Sequence, residues 1–517
     1  MMKRKISEEN RTLHLINVKN LDFSKIKEEN EKLLSISNGN DKLLYINSYL
    51  ENNIEPKDIF SNLYYPDQDR EINDIVKYFL IYQASLFDKD IKKKYFPNLN
   101  IKENNIILDN SLFMSKRLFQ ILFSLLLNSQ IKEVQYTIYE LILSYSSNSN
   151  DFINYCLEDQ RYIQKIIQFT YANFKEIINN SLLILNNIFS SCEPAQLENI
   201  LPKYSIVERC KELLENSNLD NDLKINCLEI LYTISQNIEG KFFESYFFGF
   251  INIFYNLIVL QKKNEDIFML ILKICVIITN DDNICLKIKE TGLIDIFYQV
   301  LSVTNLQREF LIKLIKIFSN LFYQDEIINY FIIEKNAEII KVFIIIINTY
   351  MHTCNESSNN KLIVDLFYCI SNIAAGPKEA QYIFSKSELP NLVIQMMKTR
   401  NNNDIYYEGI QILNNLISDC NKETFYNVSE LNPFKIYAKA LNNTLKVDNL
   451  SLYLSAIVNL IENNNKFYHT LENLKKEFYI CLIKQKIENL LYHENNTIAE
   501  MAKKIVDNLE DKMKMDD

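Results

Sequence analysis

The 517-residue chain has no tryptophan, six glycines and eight prolines. Ordinary chains carry ~7% Gly and ~5% Pro, so both turn-forming residues are scarce. Few positions can then take a positive φ freely, which argues against sandwiches, barrels and glycine-rich nucleotide loops. No CxxC pair is present; the ten cysteines are scattered, mostly inside apolar runs where Cys packs as a small hydrophobe, and a reducing compartment fits. His14, His352, His469 and His493 are isolated, so no zinc site or catalytic dyad is expected. No P-loop, GxSxG or kinase motif appears, which leaves an enzymatic role and a cofactor without support. The longest apolar stretches, near Phe247–Leu260 and Val342–Ile347, are shorter than the ~20 residues of a membrane span, and no membrane contact is expected. Met1–Ser7 is basic but no apolar segment follows, so no secretory signal is read there.

What remains is a helix-forming composition. Hydrophobic residues make up 48%, enough for a sizeable core, and Tyr and Phe number 31 each. The net charge is −10. A nucleic-acid partner would need a basic surface, so none is expected, whereas an acidic surface attracts basic segments. At ~150 residues per domain the length suggests about three domains, or one long repeat array.

Residues 1–40 read as a polar tail, and 41–110 as an irregular helical part interrupted at Pro56, Pro66 and Pro97. Residues 111–510 carry regular apolar helical spacing, and 511–517 form a charged tail. Polar breaks rich in Asn, Ser and Asp recur, at Ser146–Asp151, Asn216–Asn221, Asn280–Asn283, His352–Asn360 and Asn401–Asp404. The recurring frame is an apolar helix with a central Asn, a break, a short helix, then another apolar helix. Aligned in that frame stand Ser144, Asn187, Gln236, Val276, Asn320, Asn372, Asn415 and Asn459, separated by 43, 49, 40, 44, 52, 43 and 44 residues. A period of ~40–47 residues is that of armadillo and HEAT repeats. The two long intervals hold insertions, the second being the polar loop His352–Asn360.

Three stretches go further. Leu366–Gln381 reads LFYCISNIAAGPKEAQ, Tyr232–Gly240 reads YTISQNIEG, and Lys486–Glu510 reads KIENLLYHENNTIAEMAKKIVDNLE. They resemble, respectively, a third helix with its small-residue turn, the third helix of the fourth repeat, and the last repeat of importin alpha, the nuclear import adaptor family. The resemblance covers roughly 111–510 and is strongest at the C-terminal end. It implies an all-α, right-handed superhelical solenoid of about ten armadillo repeats. It also implies a groove for basic nuclear-localisation peptides, in which Asn amides bond the peptide backbone and Trp rings flank the stems of Lys or Arg. Acidic residues meet the cationic heads. Importin beta, and an export receptor at the C-terminal repeats, would be partners, with the chain in cytoplasm and nucleus.

The departures are specific. The Trp-equivalent positions hold Glu140, Leu183, Tyr232, Leu272, Lys316, Tyr368, Gln411 and Ser455. In the N-terminal groove the resemblance leaves Asn187, Glu229, Tyr232 and Gln236, with Ser191 where an acid is expected. In the C-terminal groove it leaves Lys316, Asn320, Glu326, Asp365, Tyr368, Ser371, Asn372, Glu408 and Asn415. The second set is the fuller one and is the expected peptide site. Each Asn alone also reads as a solvated or loop-contacting amide; the set in register is what points to binding. Lys3, Arg4, Lys5 and Arg11 stand where the family carries its importin-beta-binding segment, interrupted by Glu8 and Glu9, and read equally as a solvated tail. Two functions follow: an adaptor joining basic cargo to importin beta, or an armadillo scaffold that has lost classical cargo recognition and binds another partner.

Overall fold

Asparagine-rich breaks become helix starts because a short side-chain oxygen can accept the backbone N–H groups that a helix leaves unpaired. Asp220 caps Asp222, Asn264 caps Ile267, Asp281 caps Ile284, Asn402 caps Asp404 and Ile405, and Asn421 caps Thr424. The computed structural model describes residues 150–510, apart from 173, 261–263, 304–305, 352–356, 401, 444–445 and most of 469–482, together with a few positions between 101 and 146. The tails at 1–40 and 511–517, and almost all of 41–110, lie outside the described residues. Where helix is expected before 110, the described residues instead form a two-residue antiparallel pair, Ile101–Lys102 (β1) with Asn105–Ile106 (β2). The polar residues Asn98, Asn100 and Asn104 around it favour a turn over helix.

The chain divides into two compact units, residues up to Glu193 with Ile200–Ile206, and Pro194–Asn199 with Val207 onward. In the first, α1 (Asn150–Glu158), α2 (Arg161–Phe169) and α3 (Lys175–Phe189) form one repeat. Its core includes Ile163, Ile166, Leu182, Leu185 and Ile188, with Tyr139 edge-on to Phe169 at 5.0 Å.

α4 (Pro194–Tyr204) is shared by the two units. The second unit continues with α5 (Ile206–Glu215) and α6 (Asn221–Asn237), then α7 (Phe243–Phe247) between two 3₁₀ turns, α8 (Ile251–Leu260) and α9 (Glu265–Ile278). Next come α10 (Asp282–Glu290), α11 (Leu293–Leu301) and α12 (Arg308–Leu321), then α13 (Asp325–Asn329) with its π turn, α14 (Glu338–Met351) and α15 (Ser357–Ala374). The series ends with α16 (Lys378–Lys386), α17 (Leu389–Thr399), α18 (Asn403–Ser418), α19 (Lys422–Ser429), α20 (Pro433–Asn443), α21 (Val447–Tyr468), α22 (Lys484–Leu490) and α23 (Asn496–Glu510). Every third helix packs on the next: α6 on α9, α9 on α12, α12 on α15, α15 on α18, α18 on α21, and α21 on α23. This nearest-neighbour ladder is an all-α armadillo-type solenoid. Ser357–Asn360, read from sequence as part of a loop, are the first turn of α15, whose Ser358 and Asn359 side chains accept from Arg308 Nη1 at 3.2 and 3.1 Å.

The third helices are buried on nearly every side. On α15 the side chains of Leu362, Ile363, Leu366, Phe367, Cys369, Ile370 and Ile373 are buried, while Asp365, Tyr368 and Asn372 are not. That i, i+3, i+7 stripe is the part of the helix left to solvent. Phenylalanines form part of the core: Phe318, Phe322 and Phe331 pack mutually at 5.6–5.9 Å between ring centres. The stretch Gly240–Leu260 is long and apolar enough to span a membrane by composition, which the sequence reading did not anticipate. Here it is broken by 3₁₀ turns, and Phe243, Phe247, Phe250, Ile251 and Phe254 are buried against neighbouring helices.

The glycine shortage has a structural counterpart. In four repeats the turn between the first and second helices uses a left-handed residue, namely Ser205 (φ 44°), Gly292 (75°), Asn336 (51°) with Ala337 (57°), and Asn432 (51°), whereas the turn from α16 to α17 does not. Gly292 occupies the position freely; Ala337 does so against its Cβ, at a cost of roughly 1–2 kcal/mol. Ala337→Gly should therefore raise the stability of the native chain by about 1 kcal/mol in urea unfolding, although the same change at an exposed helical site would lower it.

Candidate functional site

The aligned asparagines all do one thing first. Asn320 Nδ2 donates to the Val276 carbonyl at 3.2 Å and to Thr279 Oγ1 at 2.9 Å. Asn372 Nδ2 donates to the Ser319 carbonyl and Asn415 Nδ2 to the Ser371 carbonyl, both at 2.9 Å. Asn459 Nδ2 reaches Asn414 Oδ1 at 2.9 Å, and Asn463 Nδ2 the Ile417 carbonyl at 2.7 Å. In the first unit Asn187 Nδ2 donates to Ser146 Oγ at 2.9 Å. Each amide thus ties its third helix to the one before it. Four expected positions in the second unit, Asn320, Asn372, Asn415 and Asn459, share this register, and Asn187 repeats it in the first.

What is left of each amide differs. Asn320 directs its N–H groups to two acceptors. The Asn415 Oδ1 accepts from Gln411 Nε2 at 2.7 Å, so the residue at a ring position clamps its own repeat's Asn. Asn372 keeps one N–H and its Oδ1 without a partner among the described residues, and so retains the donor–acceptor pair that a peptide backbone needs. Ser371 is buried, and its Oγ donates to the Tyr368 carbonyl of its own helix at 2.8 Å, which turns it away from a peptide. Glu326 lies on α13, a first helix, and pairs with Lys289 of α10 at 2.5 Å. The chain turns at Phe322–Gln324 before reaching it, so a sequence offset from Asn320 does not carry it onto the third-helix stripe.

Tyr368 is 40% exposed and its hydroxyl meets that of Tyr323, itself 60% exposed. The Tyr323 hydrogen bond, then burial, push the Tyr368 phenol up to about 12, so its hydroxyl stays neutral. The pair forms an exposed aromatic plate between α12 and α15, and Tyr323 had no sequence signal marking it. Next to it lie three carboxylates, Asp365 on α15 and Asp404 and Glu408 on α18. None forms an ion pair among the described residues. Burial, and then the like charges of Asp404 and Asp365, push the half-buried Glu408 carboxyl up to about 7. Acids close enough to repel, and without an ion pair among the described residues, make a surface that gains by receiving a cation.

Lys316 is half-buried on the α12 stripe, in line with Lys313 and beside Lys273 of α9. The remaining candidates lie on α6 and in the first unit. On α6, Gln236 Nε2 donates to the Tyr232 hydroxyl at 2.9 Å, and Glu229 is half-buried. Asn187 belongs to the first unit and Glu229, Tyr232 and Gln236 to the second. Lys3, Arg4, Lys5 and Arg11 lie outside the described residues.

No family model matches the sequence, and no curated protein does. Among solved structures, one from work on a phosphorylation switch controlling the interaction between cadherin and beta-catenin superposes with a TM-score of 0.59 at 11% identity, covering 87% of this chain and 80% of that one. An engineered protein superposes at 0.53 with 14% identity, covering 74% of this chain and 97% of that one. The likeness is one of fold. The fold is an armadillo-type helical scaffold.

The raised Glu408 carboxyl sets a pH signature. Its folded value lies above that of an ordinary carboxyl, so the folded chain holds the proton more tightly than the unfolded one. That contribution to stability is fully present below the ordinary carboxylate value and is lost as pH rises through about 7. Glu408→Gln should therefore gain on the wild type in thermal unfolding between pH 5 and pH 8, taken as roughly the two sides of that titration, and a constant difference would rule out the raised carboxyl.

Proposed function

We propose that this chain is a protein-binding solenoid that takes an extended basic segment across α15 and α18, in the manner of an import adaptor carrying basic cargo. The observation that carries the reading is the group Asp365, Asp404 and Glu408, half-buried or exposed carboxylates with no cationic partner among the described residues. Lys and Arg heads would meet these acids, and Tyr368 with Tyr323 would offer ring surface to their stems. Asn372 would read the peptide backbone. The importin-alpha resemblance supports basic cargo as the ligand class, importin beta as the second partner, an export receptor at the C-terminal repeats, and shuttling between cytoplasm and nucleus.

A second reading, an armadillo scaffold for another partner, draws support from the same ribbon. The chain has no tryptophan, Gln411 occupies Asn415, and the Asn320 amide is directed to two acceptors. These features thin the backbone-reading array and leave charge as the main means of recognition.

Calorimetric titration with a bipartite basic peptide, and a pull-down with importin beta with and without residues 1–40, separate the two. The adaptor reading expects both to bind. Asn372→Ala should weaken the peptide by about 1 kcal/mol or more, and Asn187→Ala by less. Because Asn372 also ties α15 to α12, its variant should lose about 1 kcal/mol of stability as well, so affinity is to be measured well below the unfolding transition. A peptide that fails to bind, or binds equally with Asp365→Asn and Glu408→Gln, would sink the adaptor reading.

A further inference from the structure

The stripe position seven residues before the register Asn holds an acid on α15 and α18, namely Asp365 and Glu408. On α12 the same position is Lys313. Lys313 and Lys316 sit one turn apart on that stripe, and Lys273 projects beside them from α9, the helix that α12 packs against. All three are half-buried. None forms an ion pair among the described residues, and Glu309, one turn back on α12, is the acid that faces Lys313. Burial, then the charges of Lys316 and Lys273, lower the Lys313 ammonium from its ordinary value. Like the acids two helices on, these lysines are crowded and gain from a counter-charge.

We infer that the inner ribbon from α9 to α18 is bipolar and docks an extended protein segment carrying an acidic block as well as a basic one, the acidic block over Lys273, Lys313 and Lys316. The inference rests on the basic-segment reading for the other half of the ribbon and adds a partner requirement to it. Charge complementarity specifies the occupant. A nucleic-acid strand would place phosphates over Asp365 and Glu408, whereas a segment with two blocks satisfies both patches. The spacing follows from geometry. Neighbouring helices pack ~10 Å apart, so the two patches are separated by about two helix spacings, roughly 20 Å. An extended chain advances ~3.3 Å per residue, so the block centres should lie about six residues apart. Tyr323 and Tyr368 lie between the patches and would face the spacer.

The experiment uses the full-length chain and labelled peptides in fluorescence anisotropy at one salt concentration. One peptide has three Glu, a neutral spacer of about three residues and three Lys; the others are the Lys block alone, the Glu block alone, and the same composition with Glu and Lys alternating. The bipolar peptide should bind about tenfold more tightly than the Lys block alone, since charge-assisted bonds are gained at the second patch. Lys313→Gln combined with Lys273→Gln should remove that gain and leave the Lys block's affinity unchanged or improved. Equal binding of the bipolar and Lys-block peptides, or a bipolar gain that survives the double substitution, would overturn the inference while leaving the basic-segment reading intact. A bipolar peptide bound in a lysine-dependent way while the Lys block alone does not bind would support the inference and overturn the simpler reading. Binding of none would overturn both, and so would tighter binding of a single-stranded oligonucleotide.

Discussion

Each third helix buries its apolar residues against the third helices on either side and against the shorter helices that flank it. That constraint decides what the inner ribbon can be. With Leu, Ile, Phe and Cys taking every other direction, a third helix has one narrow stripe left for polar residues, and successive stripes must lie side by side. The asparagine amides then fix the register between helices. A buried side chain contributes about 1.5–3 kcal/mol, and an amide donated to a particular carbonyl adds a bond that is lost on slipping. Asn415 on Ser371 therefore helps to keep Asp365 beside Glu408, and Asn320 on Val276 helps to keep Lys273 beside Lys313.

The same amides explain how the chain manages without tryptophan or much glycine. The rings that would flank a peptide are replaced at three adjacent repeats by Lys316, Tyr368 and Gln411, and these do three different things. Lys316 joins a cationic patch, Tyr368 pairs with Tyr323, and Gln411 clamps Asn415. The surface they leave carries crowded groups of both signs in place of exposed rings at two of the three positions. Left-handed turns pass to Asn336, Asn432, Ser205 and Ala337, for which Asn is tolerated and Ala is strained.

Much of this was legible in the sequence. The spacing of Asn320, Asn372, Asn415 and Asn459 gave the repeat frame, since only a solenoid puts one residue type on one stripe at that period. Asp365 and Glu408 lie on the same helices as their asparagines, so a fixed offset from each asparagine leads to the same stripe. Glu326 was misplaced because a turn intervenes and a fixed offset does not survive it. What sequence could not show was the neighbour each amide faces: Gln411 reads as a lost ring, and its bond to Asn415 exists only once α18 is folded. Lys313 was legible in principle, by following the column that holds Asp365 and Glu408, but its crowding by Lys273 needs α9 packed on α12.

The central claim is that Asp365, Asp404 and Glu408 receive a cation from a bound segment. A carboxyl held at about 7 is half protonated at neutral pH, and an arriving ammonium or guanidinium would expel that proton. Calorimetric titration of a basic peptide at pH 7, in two buffers of different ionisation enthalpy, counts protons released. About half a proton should be released per peptide bound, and Glu408→Gln should abolish that release. Binding with no proton release, or release that persists in Glu408→Gln, would contradict it.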